Sequence, residues 1–373
     1  MSARRILFLN NQGLGAIGGG VSILRALTAD LARDHDVVLA TEDPPGGAGF
    51  AEHQLPRFAP PRGGAWRFKP WLKARHLLRA LDPALVRWAD VVVALDPHFA
   101  PALAAARPRR LIHLSLSCAT RQEWFGNPGS TAWWYAAQYA LLERRLARQA
   151  SAVVVASALH AREMARFAGL RGRPVQVFAP VFPVTAASTS PNWRRGLVAV
   201  GRITPVKNLP ALIPLLRRLP ETRLALVGEG DELAPLRRLA REAGIADRID
   251  WVGAVDDPTP WIDRAALLLH PSRYESFGMV VQEAMRRGTV PVVFAQGRGR
   301  RNAAAELVTH GESGLLVDYD DPDATAAAIR ALLDDPARLA AMSARARNVA
   351  AQRDRFDYAA RFRDLLARLG QTA

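Results

Sequence analysis

The stretch RRILFLNNQGLGAIGGGVSILRALTADLARDHDVVLAT, Arg4 to Thr41, decides the fold. It opens with a short apolar run, RRILFLN (Arg4–Asn10), passes through a glycine-rich loop, and continues as a helical pattern from about Val21 to Arg33. A second apolar run, DVVLAT (Asp36–Thr41), follows. Short runs rich in β-branched residues, joined by a helix-period segment, are the grammar of a βαβ unit with buried parallel strands. The same grammar repeats in DVVVAL at Asp90, RLIHLS at Arg110, AVVVAS at Ala152 and VQVF at Val175. Together these predict one open parallel sheet covered by helices on both faces.

From Pro180 to Pro191 the chain loses periodicity and becomes rich in Pro, Ser and Thr, as linkers do. The grammar then restarts with LVAVG at Leu197, RLALVG at Arg223, IDWVG at Ile249, LLLHPS at Leu267, VPVVF at Val290 and GLLV at Gly314. Helical stretches such as Asn208–Leu219 and Glu232–Ala243 lie between them. Three helical segments close the chain, about Pro322–Leu333, Pro336–Ala351 and Arg355–Leu369. The pattern predicts an α/β protein of two doubly wound domains, residues 1–185 and 186–354, with a last helix, residues 355–373, packing back on the first domain.

A chain of 373 residues with 49% hydrophobic and 23% charged content is too long for one small module and too apolar for a disordered protein. Its formal charge of +15 favours anionic partners or surfaces. Up to residue 185 there are 23 Lys+Arg against 12 Asp+Glu, so +11 of the excess belongs to the N-terminal half. One cysteine, Cys118, excludes an internal disulfide and a thiolate metal cage, and fits a reducing compartment. No apolar run reaches the roughly 20 residues that span a bilayer, and MSARRILFLNN is no signal peptide. The expected location is therefore cytoplasmic, with membrane contact only peripheral.

Two segments carry chemistry. In LVAVGRITPVKN, Gly201 and Arg202 end a strand and Lys207 stands before the next predicted helix, so two cations and a helix N-terminus aim at one point, which suits a diphosphate. In PSRYESFGMVVQEAMRRG, Pro271–Gly288, a strand ends in LLLHPS and Glu275 occupies a turn. Ser276, Phe277 and Gly278 then open a helix on which Glu283 lies. Two helical glutamates eight residues apart diverge by about 80°, so both serve one elongated ligand only because Glu275 precedes the helix. The backbone N–H groups of Ser276 to Met279 suit a phosphate. Glu275 and Glu283 suit vicinal hydroxyls, as on sugars and riboses.

These residues resemble the retaining glycosyltransferases of family four, the group-1 glycosyltransferases, strongest over Leu197–Val317. The resemblance rests on GRITPVKN at Gly201, ALVGEGDE at Ala225, DRAALLLHPSRYESFG at Asp263, QEAMRRG at Gln282 and GESGLLV at Gly311. It implies the GT-B fold, two Rossmann-like domains facing a central cleft, the first for the acceptor and the second for a nucleoside-diphosphate sugar. It further implies that Glu275 meets the donor sugar, Glu283 the ribose, and Arg202 with Lys207 the diphosphate. The resemblance also implies that Gly19 and Gly20, in the loop Gly13–Gly20, lie beneath the donor phosphates and the acceptor, and that His113, taken to end its strand, stands near the donor sugar, with His98 as the competing histidine. Glu143 matches a frequent glutamate with either a structural or an acceptor role. Neither a cofactor nor a metal is expected, since two cations do the work of a divalent ion.

Two departures from the family stand out. Asn208 replaces the usual glycine after the lysine, at a predicted helix start. The stretch FAQGRGRRNAAAEL replaces a shorter glycine turn before Glu306, and its Arg298, Arg300 and Arg301 belong either to the ligand pocket or to a solvated loop. The segment Pro61–Arg79 carries six Lys or Arg and no acid, with Trp66, Phe68 and Trp71 interleaved, the composition of an interfacial segment. Likeness to phosphatidylinositol mannosyltransferases makes an acceptor at an anionic membrane one expectation and an ordinary acceptor-side helix the other. A second aromatic cluster, Trp124, Phe125, Trp133, Trp134 and Tyr135, favours a carbohydrate or hydrophobic acceptor. The alternatives are a nucleotide-sugar epimerase or phosphorylase on this fold, or a basic nucleic-acid-binding protein. The sequence shows no nucleic-acid module, and nucleic acid is not an expected partner.

Overall fold

The computed structural model describes residues 3–14, 19–47, 49–60, 67–126, 132–170, 174–180, 196–297, 299–353 and 357–371. The chain divides into two units, Met1–Phe182 with Phe356–Ala373, and Pro183–Arg355. Most of the linker-like stretch Pro180–Pro191 lies outside the described residues, as do Gly18, Trp66 and Arg298.

Among its described residues unit 1 holds seven strands: β1 (Arg5–Leu9), β2 (Asp36–Thr41), β3 (Ala51–Gln54), β4 (Val91–Ala94), β5 (Leu111–Ser115), β6 (Ala152–Val155) and β7 (Val175–Val177). They pair in the order β3-β2-β1-β4-β5-β6-β7, each pair parallel. Strands β4, β5 and β6 are buried along their whole length, as a sheet covered on both faces requires. The helix Tyr358–Gln371 belongs to this unit. Its Phe362 stacks on Phe8 of β1 at 6.5 Å, Tyr358 meets Phe178 edge-on, and Arg363 pairs with Asp34 at 2.8 Å.

Unit 2 holds β8 (Leu197–Val200), β9 (Leu224–Val227), β10 (Ile249–Gly253), β11 (Leu267–His270), β12 (Tyr274–Glu275), β13 (Val290–Phe294), β14 (Arg301–Asn302) and β15 (Leu315–Val317). Six form a parallel sheet in the order β10-β9-β8-β11-β13-β15, the strand order of a dinucleotide-binding fold. Its core gathers Leu197, Leu226, Leu267, Val292, Phe294 and Ile329. Both units are thus parallel α/β sandwiches, as the alternating pattern predicts. The short pair β12–β14 forms a separate two-stranded sheet with Glu275 opposite Asn302.

One expected element is corrected. The helix read from Asn208 starts later: Pro205–Lys207 and Leu209–Ala211 are two 3-10 turns, and the α-helix runs only over Leu212–Arg218. Asn208 stands between the turns at φ 53°, a left-handed position tolerated by asparagine and glycine. Its side chain caps no helix and donates instead to the Pro271 carbonyl at 3.2 Å. The glycine-to-asparagine departure is thereby explained by backbone conformation rather than by capping.

Phe362 is fully buried against β1. Truncating a buried Phe to Ala costs about 3–5 kcal/mol. Phe362→Ala should therefore lower unfolding stability by that amount in denaturant melts, whereas the surface change Trp71→Ala should stay within about 0.5 kcal/mol.

Candidate functional site

In an open parallel sheet the polar crevice lies at the carboxyl ends of the strands where the order reverses. In unit 2 that point lies between β8 and β11. A small open pocket sits there, lined by Gly201, Arg202 and Lys207 after β8, and by His270, Pro271 and Ser272 at the end of β11. The two predicted cations therefore border one pocket. Arg202 is exposed. Lys207 is not free: its Nζ lies 2.6 Å from Glu275 Oε2.

Glu275 is held from both sides. Its backbone pairs with Asn302 of β14, and the Arg301 N–H bonds the Arg273 carbonyl at 2.8 Å. Asn302, wholly buried, donates to the Ser272 and Phe294 carbonyls and accepts from the Ala304 N–H. This corrects the expectation for FAQGRGRRNAAAEL. Its Arg301–Asn302 segment is neither pocket extension nor solvated loop, but the strand that fixes Glu275. Arg300 is likewise committed, paired with Asp318 at 2.5 Å and lying over the Phe294 ring. Burial pushes the Glu275 carboxyl up, but Lys207 and His270 together outweigh it and hold it well below the usual carboxylate range.

His270 is the functional residue that the sequence reading passed over. It is buried, and its Nε2 lies 3.5 Å from the same Glu275 oxygen that Lys207 contacts. Burial, opposed by Glu275, lowers its basicity. The available signal was a histidine at the last position of a strand, five residues before the glutamate.

The helix expected to open at Ser276 starts three residues later, at Met279, with Gly278 as its cap rather than part of its first turn. Gly278 sits at φ 95°, and a Cβ there would come 2.4 Å from Ala304 Cβ, so no larger residue fits. The first N–H groups of this helix have no acceptor within the helix. Glu283 lies further along it, in a different electrostatic setting. Burial raises its carboxyl to about 7, against the pull of Arg286 and Arg287 and with a further push from Asp257. The structure therefore joins Arg202, Lys207, His270 and Glu275, and leaves Glu283 among other partners.

In unit 1, Gly19 and Gly20 begin the helix Gly19–Leu31. The expected place of His113 is corrected. It is the third residue of a five-residue strand, 1% exposed, with Nδ1 3.1 Å from the Ala94 carbonyl and its basicity lowered to about 4 by burial. It is a core histidine. The residue that abuts the glycine-rich helix start is Leu116, whose Cδ1 lies 3.5 Å from where a Cβ on Gly20 would be. Glu143 is also internal: burial raises it to about 7, and it accepts from the Ala119 N–H at 2.6 Å and from both donors of Thr120, tying down the helix Ala119–Gly126.

Of the basic segment, residues 61–66 lie outside the described residues. In the helix Lys69–Ala80, Pro70, Ala74 and Leu77 face inward. Lys73 pairs with Glu42 at 2.9 Å, while Arg67, Lys69, Arg75 and Arg79 are exposed beside Phe68, Trp71 and Leu78. Trp134 of the neighbouring helix donates to the Arg67 carbonyl and packs edge-on to Phe68, and Trp133 is 56% exposed. Among the described residues no helix is long and apolar enough to cross a membrane, and no group of three or more metal-ligating side chains is gathered.

Two family models match the chain, one described as glycosyl transferases group 1 over residues 186–349, the other as Glycosyltransferase Family 4 over residues 17–182. A D-inositol 3-phosphate glycosyltransferase of Thermobispora bispora is 40% identical over 195 residues, 46% of this chain and 43% of that protein. A GDP-mannose-dependent alpha-(1-6)-phosphatidylinositol monomannoside mannosyltransferase of Mycolicibacterium smegmatis is 34% identical over 165 residues, 41% of this chain and 42% of that protein. The matched stretch spans less than half the length of these curated relatives. Among solved structures, sucrose-phosphate synthase from Thermosynechococcus elongatus aligns with a TM-score of 0.82 at 21% identity, covering 99% of this chain and 100% of that one. Anabaena HepE, in complex with UDP and glucose, aligns with a TM-score of 0.77 at 21% identity over the same shares. The fold common to these structures is GT-B.

The raised carboxyl of Glu283 sets a pH dependence. A group that holds its proton more tightly when folded stabilises the protein below its ordinary value of 4.5, and that stability is lost as pH rises toward about 7. Glu143 acts in the same direction over the same window. Glu283→Gln should make the fall in melting temperature across this window shallower, as read by calorimetry at a series of pH values; an unchanged slope contradicts the assignment.

Proposed function

Since the chain belongs to the group-1 glycosyltransferases, we propose that it moves a sugar from a nucleoside-diphosphate sugar to an acceptor hydroxyl with retention of anomeric configuration. The observation that carries this reading is the pocket at the β8–β11 order reversal, where Arg202 and Lys207 border the same space and Glu275 lies against Lys207. A diphosphate needs positive charge and positional control, and a sugar needs acceptors for its hydroxyls.

In this scheme Arg202 and Lys207 take the diphosphate, helped by the backbone donors of Ser276, Phe277, Gly278 and Met279. Glu275, kept ionised by Lys207, accepts from hydroxyls of the donor sugar, and Glu283 accepts from the ribose. Gly19 and Gly20 of unit 1 allow close backbone approach to the donor. The bond from the anomeric carbon to the diphosphate oxygen breaks as the acceptor oxygen bonds that carbon on the same face. The departing diphosphate receives the acceptor proton, so no side chain is required as general base. His113 has no part in this scheme because it is internal to the sheet. In this scheme the charge that develops on the leaving diphosphate is met by Arg202 and Lys207, which is why no metal is invoked.

The acceptor class follows from chemistry and from kinship. The names of the curated relatives point to inositol phosphate and phosphatidylinositol mannoside as acceptors of those proteins. For this chain we place a hydroxyl-bearing glycan, lipid or small molecule on unit 1. The exposed cations Arg67, Lys69, Arg75 and Arg79 beside Phe68, Trp71 and Leu78 support contact with an anionic membrane.

A donor panel assayed by release of nucleoside diphosphate tests the reading and identifies sugar and base together. Removing one preorganised electrostatic contact of this kind costs about 100- to 1,000-fold in rate. Glu275→Gln, and Arg202→Ala with Lys207→Ala, should each lose at least that; near wild-type rates in both refute the site. Turnover that requires inorganic phosphate would instead mark a phosphorylase. For the membrane, sedimentation with vesicles of anionic and of zwitterionic lipid at low salt should show preference for the anionic ones, weakened by Trp71→Ser. Equal partition sinks the membrane contact.

A further inference from the structure

Lys207 and His270 approach the same oxygen of Glu275, and of the two the lysine bonds it. Lys207 Nζ donates to Oε2 at 2.6 Å. His270 Nε2 stands 3.5 Å from that oxygen and makes no hydrogen bond among the described residues. The imidazole is buried, so this nitrogen has left water without gaining a partner. An atom of this kind raises the free energy of the state that contains it, and a state that pairs it is favoured by comparison.

The two neighbours of Glu275 differ in their freedom to move. His270 is the last residue of β11 and lies in register with Val293 of β13. Its backbone N–H bonds the hydroxyl of buried Tyr319 at 3.2 Å, and that hydroxyl donates to the Val292 carbonyl at 2.8 Å. The backbone that carries the ring is therefore fixed, beside the pocket that His270 lines together with Lys207. Lys207 ends a 3-10 turn, its side chain is 25% exposed, and its charge rides on a flexible four-carbon stem. A diphosphate in that pocket draws the ammonium away from Glu275, because the ligand carries more charge than one carboxylate. Two anions sharing one ammonium also repel each other, and a second donor on Glu275 reduces that cost.

We infer that His270 is a positioning residue that takes over Glu275 when a nucleoside diphosphate engages Lys207: its Nε2–H closes on Oε2 as the ammonium turns away. A histidine nitrogen facing a carboxylate carries a proton both in the imidazolium and in the matching neutral tautomer, so the exchange does not depend on the charge of the ring. The carboxylate keeps its place while the lysine serves the diphosphate. The inference rests on the donor reading proposed above, and it gives the free and the loaded protein different hydrogen bonds at one oxygen.

The experiment is nitrogen–proton NMR of the full-length protein with labelled histidine, the His270 signals being assigned by their loss in His270→Gln. UDP, GDP, ADP and dTDP are added separately, and binding is measured on the same samples by calorimetry. At least one should bind and move the His270 Nε2–H proton downfield, the direction of a new hydrogen bond to a carboxylate. In Lys207→Ala the ligand-free protein should already show the shifted signal, with the other histidine signals in place as evidence of folding. His270→Leu should weaken binding of the same nucleotide about tenfold or more, and His270→Gln, which keeps a donor at similar reach, should restore most of it. Binding without a response at His270, an unshifted signal in Lys207→Ala, or wild-type affinity in His270→Leu overturns the inference and leaves the donor reading standing. Binding of none of the four nucleotides overturns both.

Discussion

In an all-parallel sheet every strand is reached by a crossover, and where successive crossovers leave toward opposite edges the carboxyl ends of two adjacent strands stay uncovered. That constraint acts twice in this chain, between β1 and β4 and between β8 and β11. At the first it gathers Asn11, Asp96 and His98; at the second, Arg202, Lys207 and His270. Neither group is contiguous in sequence. What brings each together is that two loops start from neighbouring strands whose register is set by buried apolar residues.

The electrostatics of the two clusters differ in kind. In unit 2 a carboxylate sits against a lysine, and each would be costly to bury alone; removing one partner leaves the other uncompensated. In unit 1 the carboxylate is shared by a ring nitrogen and an amide, so its role is orientation more than charge neutralisation. The overall +15 contributes to neither directly. Much of it is dispersed over exposed arginines and over pairs such as Arg218–Asp323 and Arg273–Asp320. These are surface pairs of the sort that add little stability.

The strands were legible because runs such as DVVVAL and AVVVAS are apolar on both faces, which only a doubly covered sheet tolerates. That same uniformity hid where each strand ends. With every position of β5 buried, no periodicity separated His113 in mid-strand from Leu116 beyond it. Strand β3, AEHQ, has no apolar signature and is an edge strand held by backbone pairing with β2. The pair β12–β14 was invisible for another reason, since two-residue strands exist only through their tertiary partner. Glu275 and Lys207 were found from sequence, but the fixing of Glu275 by Asn302 was not, because the partners are 27 residues apart and neither carries a local preference for the pairing.

Unit 2 is one continuous stretch, Pro183–Arg355, whereas unit 1 is interrupted by it and completed by residues from Phe356 onward. On a ribosome, chain order becomes time order. The helix that brings Phe362, Leu365 and Leu366 onto the unit 1 core emerges only after all of unit 2. Until then Phe8 lacks its stacking partner, and the first sheet persists with a bare apolar strip. Unit 1 thus begins before unit 2 and is finished after it, by contacts between residues far apart in sequence, such as Arg4 with Leu366, the kind that slows folding.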